Sequence, residues 1–287
     1  MLDKKIAFVG SGAMAEAMIS GLLRQGLARP EDLLASDNRL ERVEELHQKY
    51  GIQPFTENKK ATEHADVVVL SVKPQRLTEV LGGLKNAIPS RALVLSIVAG
   101  ATIAKISNGL SHKAVVRSMP NTPAQIGQGM TVWIPSPAVS EAQKETACAI
   151  LGALGEEVMV DDESYLDMAT ALSGTGPAYV FLFMEAMIDA GVHLGFSRRV
   201  SEQLVLQTIK GSVGYYEAIS QKNGAHVAAL RNQVTSPGGT TAEAMYFLEK
   251  AGFRTAVSRA IWAAYQRSLE LGKEKPGHIP EEKNNNE

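Results

Sequence analysis

The chain of 287 residues has one cysteine, Cys148. A single thiol excludes an internal disulfide framework and suits a reducing compartment. It falls in a helical pattern, Glu141–Leu151, where it is expected as small core filler. No uninterrupted apolar run reaches the roughly 18–20 residues of a membrane span, so no membrane partner is expected and the cytoplasm is the expected location. Lys4 and Lys5 precede an apolar run, but Ser11 and Gly12 break it and Glu16 interrupts what a cleaved leader would need. Neither sign of charge is in excess: 29 basic residues against 31 acidic ones give a net charge of −2. That gives no reason to expect nucleic acid as a partner. His47, His64, His112, His226 and His278 show no metal-ligand spacing, and no metal is expected. Trp133 and Trp262 are expected in a core or an interface.

What is present is a 45% hydrophobic chain of a size for about two domains. Lys5–Val9 has the short apolar run of a buried parallel strand. Gly10-Ser11-Gly12-Ala13-Met14-Ala15 follows at once and opens a helical pattern through Met18 and Leu22. This is G-x-G-x-x-A in strand–turn–helix context, the arrangement that lets a pyrophosphate approach backbone N–H groups. The second strand, Leu33–Ala35, ends in Ser36-Asp37-Asn38-Arg39, where the ribose of a dinucleotide is read. Asp37 could accept from a free 2′-hydroxyl, as NAD offers. Asn38 and Arg39 could hold the 2′-phosphate of NADP. Asp37 could equally cap the helix from Leu40 to Tyr50.

Further strands are predicted at Val67–Val72, Leu93–Val98, Ala114–Ser118, Met130–Ile134 and Glu157–Val160. In an open parallel sheet, ligands bind outside the carboxyl ends of the strands. Gly10–Met14, Ser71–Pro74, Val98–Gly100 and Pro120–Pro123 all lie at such ends. After Val160 strand alternation stops. Helices are predicted over Asp167–Ser173, Ala178–His193, Arg198–Ile219, Gly224–Arg231, Thr240–Lys250 and Phe253–Leu271. Ala178–His193 is apolar on nearly every side, interrupted only by Glu185 and Asp189. Such a helix belongs in the centre of a helical domain or in an oligomer interface. The expected division is a dinucleotide-binding domain over 1–160, an all-helical domain over 161–272, and a disordered tail over 273–287.

Val234–Met245 carries a second signal. Pro237, Gly238 and Gly239 break the chain, and a helix starts at Thr240. Unpaired N–H groups and the helix dipole there suit a carboxylate or phosphate, with Ser236, Thr240 and Thr241 as hydroxyl neighbours. The plainer reading is an ordinary N-capped helix.

Taken together, Gly10–Ala15, Ser71-Val72-Lys73-Pro74, Met119-Pro120-Asn121-Thr122-Pro123, Leu172–Tyr179 and Val234–Thr241 resemble the motifs of pyrroline-5-carboxylate reductase, in order and along the whole chain. The resemblance implies an α/β plus all-α fold: an N-terminal Rossmann doubly wound sheet and a C-terminal helical dimerisation domain. A homodimer is expected, with a ring of dimers as the larger form. The implied cofactor is NADPH, with NADH as the alternative. Its implied contacts are Gly10, Ser11, Gly12, Ala13, Met14, Asp37, Asn38, Arg39, Asn58, Ser71, Val72, Lys73, Pro74, Val98, Ala99, Gly100 and Asn121. The implied substrate is a small imino acid, 1-pyrroline-5-carboxylate, held by Glu163, Ser236, Gly238, Gly239, Thr240 and Thr241, with product L-proline in the last step of its biosynthesis.

The residues fit that chemistry in one further way. Gly176–His193 contains no lysine or arginine to assist a proton at an alcohol. A protonated imine carbon is already electrophilic, so positioning supplies most of the catalysis, with the Thr241 hydroxyl at the ring nitrogen.

Overall fold

The computed structural model describes residues 1–273. All but the first residue of the charged tail expected over 273–287 lies outside the described residues. An eight-stranded sheet carries the N-terminal part: β1 (Ile6–Val9), β2 (Leu33–Ser36), β3 (Gln53–Phe55), β4 (Val67–Leu70), β5 (Leu93–Ser96), β6 (Val115–Met119), β7 (Gly129–Pro135) and β8 (Gly155–Met159). Their spatial order is β3-β2-β1-β4-β5-β6-β7-β8. All neighbours are parallel except β6 and β7, which pair antiparallel with Ser118 opposite Trp133. The strands expected from sequence all occur. β3 is additional: it is three residues long, contains Pro54 and lies at the sheet edge, where a missing N–H is tolerated.

Alternation along the strands fills two cores. Ile6, Phe8, Val67, Val69, Leu93 and Leu95 face one side. There they meet α1 (Ala13–Arg24), through Met18, Ile19 and Leu22, and α6 (Glu141–Gly152), through Ile150 and Leu151. Ala7, Val9, Val68, Leu70 and Val94 face the other side, against α4 (Leu77–Leu84) and α5 (Ile103–Leu110). Each fully buried Leu, Ile or Phe contributes about 1.5–3 kcal/mol, and a sheet covered on both faces explains the unbroken apolar runs. Two further helices, α2 (Leu40–Tyr50) and α3 (Asn58–Thr62), complete this α/β part. Cys148 is not core filler. It is exposed on α6, and its thiol donates to Glu157 at 3.2 Å. Trp133 is buried, whereas Trp262 is exposed.

The helices that follow are α7 (Ser164–Ala169), continued by a π turn over Thr170–Gly174, then α8 (Gly176–His193), α9 (Arg198–Asn223), α10 (Val227–Gln233), α11 (Thr240–Lys250) and α12 (Phe253–Lys273). The packing units do not follow the division at 160. Among the described residues, one unit holds 1–177 together with 263–273, and the other holds 178–262. The reason lies in polar contacts made by 161–177. Arg117 on β6 pairs with Glu163 at 3.0 Å and with Asp167 at 3.2 Å. Asn121 donates to the Ser173 carbonyl at 3.1 Å.

The second unit has almost no interior. No residue of α8 is buried. Phe181 is 62% exposed and Leu182 66%. Of the two alternatives for this helix, the centre of a helical domain does not hold within the single chain. The run Ser164–His193 is long and apolar enough to cross a membrane by length and composition alone.

Candidate active site

The carboxyl ends of β1, β2 and β4 open into one cleft of about 540 Å³. The chain leaves β1 towards β2 on one side and β4 on the other, which makes this the topological switch point of the sheet. The volume falls within the range of small-molecule sites, about 300–1,000 Å³.

The glycine loop forms its floor. Gly10 has φ +89, and a Cβ there would stand 2.8 Å from Val72 Cγ1 and 2.9 Å from the Ser71 carbonyl oxygen. Only glycine therefore lets the loop lie against the end of β4. Gly12 caps α1 with no side-chain bond, and a Cβ there would meet nothing within 4 Å. Gly12 lines the cleft beside the first N–H groups of α1, which have no helical partners.

The loop is braced from behind. Arg42 Nε donates to the Ser11 carbonyl at 2.7 Å and its other end pairs with Glu16. Lys49 and Tyr50 also donate to Glu16, at 2.7 and 2.9 Å. Burial alone would raise the Glu16 carboxyl, but hydrogen bonds from Arg42, Lys49 and Tyr50 outweigh it and bring it down to about 2.

At the end of β2, Asp37 does not cap α2, whose N-cap Arg39 has no side-chain cap bond. Asp37 Oδ2 accepts the Ser11 N–H at 3.1 Å. Its Oδ1 accepts from the Arg39 backbone at 3.1 Å and from Arg39 Nε at 3.0 Å. Burial pushes the Asp37 carboxyl up, and the bonds from Arg39 and Ser11 more than reverse it, so it stays ionised below its usual range. Asn38 and Arg39 line the same cleft. Ser36 donates to Asn58 Oδ1 at 2.6 Å, which leaves the Asn58 NH₂ as a donor to a ligand. The far wall is Ser71, Val72 and Lys73, with Ser71 Oγ donating to the Val9 carbonyl at 3.2 Å.

Other residues of the expected nucleotide set do not line this cleft. Ala13 is exposed on the first turn of α1, and Met14 packs on the core. Pro74 opens a short 3₁₀ turn. The Val98 side chain is core, and Ala99 and Gly100 belong to the turn after β5. Asn121 has a structural role: besides Ser173, its Oδ1 accepts the Met130 N–H at 2.9 Å. Thr56, Arg76, Glu79 and Val80 line the cleft and were not expected. Thr56 follows the short edge strand that apolar patterning misses. Arg76, Glu79 and Val80 lie just beyond the Lys73-Pro74 signal.

In the second unit, Gly239 caps α11 without a side-chain bond. Gly239 N–H closes a turn on the Ser236 carbonyl at 3.1 Å. Among the described residues, the hydroxyls of Ser236, Thr240 and Thr241 have no hydrogen-bond partner. Open N–H groups and free hydroxyls at one helix start can take a small carboxylate and a polar nitrogen. Glu163 is in the first unit, where its Oε1 already accepts from Arg117 and from the Ile103 N–H at 2.8 Å.

A family model described as pyrroline-5-carboxylate reductase dimerisation matches residues 163–271. Another, described as NADP oxidoreductase, coenzyme F420-dependent, matches residues 5–100. A pyrroline-5-carboxylate reductase from Synechocystis sp. is 39% identical over 269 residues, covering 94% of this chain and 98% of the relative. One from Pseudomonas aeruginosa is 41% identical over 275 residues, covering 96% and 99%. The chain belongs to the pyrroline-5-carboxylate reductase family. A Plasmodium falciparum pyrroline carboxylate reductase crystallised with NADP bound has a TM-score of 0.86 and 34% identity, over 95% of this chain and 99% of that one. The fold is accordingly the family's, a Rossmann-like parallel sheet followed by a helical region that carries the family's dimerisation segment. The chain is a nicotinamide-dinucleotide oxidoreductase.

Proposed function

We infer that this protein reduces 1-pyrroline-5-carboxylate to L-proline, the last step of proline biosynthesis, with NADPH as the preferred reductant. The observation that carries the substrate assignment is the start of α11, where no side chain bonds the N–H groups that follow Gly239. There the backbone N–H groups after Gly239 receive the substrate carboxylate, and Ser236 and Thr240 flank it. The Thr241 hydroxyl bonds the ring nitrogen, orients the imine and relays a proton from water to that nitrogen. The bound dinucleotide supplies the hydride that reduces the C=N bond. Gly10–Gly12 and the start of α1 hold its pyrophosphate, Asn58 and Ser71–Lys73 hold the flanking groups, and the turn Val98–Gly100, at the carboxyl end of β5 beyond the cleft, contacts the rest of the dinucleotide. Arg39 is the 2′-phosphate contact, because Asp37, its carboxylate filled by Ser11 and Arg39, has little left to offer a free 2′-hydroxyl.

The exposed apolar face of α8, within the segment matched by the dimerisation model, supports a homodimer rather than a membrane span. A ring of dimers is the larger assembly in this proposal, and the cytoplasm is its location. Thr241→Ala tests the catalytic assignment. It lowers kcat about a hundredfold, the lower end for a positioned proton-transfer group, while NADPH binding is kept. An unchanged kcat removes Thr241 from the mechanism.

A further inference from the structure

We propose that Arg117 is a positioning residue for the turn from Val98 to Ile103, which it holds from two sides. The proposal rests on the reading above, in which Val98–Gly100 contacts the cofactor.

Arg117 lies in the middle of β6, beside Ser96 of β5, and is only 3% exposed. A buried ion pair adds little stability over apolar residues of the same volume, because desolvating the charges offsets their attraction. Its place in the sheet therefore asks for another reason, and its contacts supply one.

The first arm runs through Glu163. Arg117 Nη1 donates to Glu163 Oε1 at 3.0 Å, and the same oxygen accepts the Ile103 N–H at 2.8 Å. Ile103 is the first residue of α5, and its N–H is one of the donors a helix start leaves open. The carboxylate thus pins the downstream end of the turn. Its Oε1 is spent on that task, and we assign Glu163 to the turn rather than to the substrate.

The second arm runs through Asp167. Arg117 Nη2 donates to Asp167 Oδ1 at 3.2 Å, and Ser268 Oγ donates to the same atom at 2.7 Å. Ser268 is buried in the last turns of α12. One turn on, that helix presses on the middle of the cofactor turn. A Cβ on Gly100 would stand 3.0 Å from the Gly272 nitrogen and 3.2 Å from Leu271, and a Cβ on Gly272 would stand 3.2 Å from the Gly100 carbonyl oxygen. Gly100 has φ +70, so it is held in a conformation other residues rarely adopt. Both arms start on one guanidinium fork. A lysine, with a single ammonium, cannot span two carboxylates in the same way.

The test uses the full-length protein and direct titration with NADPH, followed by steady-state kinetics. Ser268→Ala and Arg117→Lys each raise the NADPH Kd and KM about threefold to tenfold, the effect of one hydrogen bond, with the imine KM unchanged. Ser268→Thr keeps the hydroxyl and stays near the wild-type value. Glu163→Gln raises the NADPH KM and leaves the imine KM alone. Should Arg117→Lys fail to fold, the Ser268 pair decides. Unchanged NADPH binding in Ser268→Ala overturns the proposal, as does equal movement of both KM values in step with a lower Tm. An imine KM that rises alone in Glu163→Gln returns that residue to the substrate. Failure of the wild type to bind NADPH at all instead contradicts the functional reading.

Discussion

The two packing units are built on opposite plans. The first buries both faces of its sheet, in clusters around Phe8 and around Leu70. The second leaves Phe181, Leu182, Tyr246, Phe247 and Trp262 exposed and buries a single large apolar side chain, Val205. A chain does not hold helices with so much apolar surface in water on their own account, since that surface marks an interaction site. The first unit is a finished fold that presents a cleft. The second lies within the segment that the dimerisation model matches, and it presents the apolar surface that a partner subunit would cover.

Predictions from this contrast run from the largest effect to the smallest. Phe8→Ala opens a cavity in the finished core and costs about 3–5 kcal/mol, read as a lower urea midpoint. Phe181→Glu leaves that core untouched and weakens assembly by about 2 kcal/mol or more, read as dissociation in sedimentation and as a Tm that depends on protein concentration. A Tm loss from Phe181→Glu equal to that of Phe8→Ala, with no change in assembly, would break the contrast.

Glu16 gives a pH test of the first unit. Its carboxyl is held at about 2, below its ordinary 4.5, so its contribution is complete above pH 4.5 and is lost as pH falls towards 2. Glu16→Gln should remove that slope from the acid-unfolding profile. A profile identical to wild type would mean that Arg42, Lys49 and Tyr50 brace the loop without it. The smallest effect is on cofactor choice. Arg39→Ala raises the KM for NADPH about tenfold, the value of one charged contact, and leaves that for NADH nearly unchanged.

Much of this was legible in the sequence, and what was missed follows a pattern. Strands such as Val67–Leu70 and Leu93–Ser96 are buried on both faces and show as unbroken apolar runs. β3 carries no such run, because an edge strand with Pro54 needs only a few backbone bonds. The cleft motifs at Gly10, Asp37 and Ser71 were readable because strand ends and glycines are local signals. The place of 161–177 in the first unit was not, since it depends on Arg117 meeting Glu163 and Asp167 some 46 and 50 residues away. Composition could not separate a buried helix from an interface helix at α8, as both need the same side chains. At Asp37 the sequence offered two roles, acceptor for a ribose hydroxyl or cap of α2, and the structure fills its carboxylate from Arg39 instead.

The most direct test of the account is to follow the oxidation of NADPH and of NADH by the purified protein with 1-pyrroline-5-carboxylate, and to measure proline formed. The account predicts one proline for each NADPH consumed, with NADH used less well. A folded, dinucleotide-binding protein that consumes neither cofactor with this imine would contradict it.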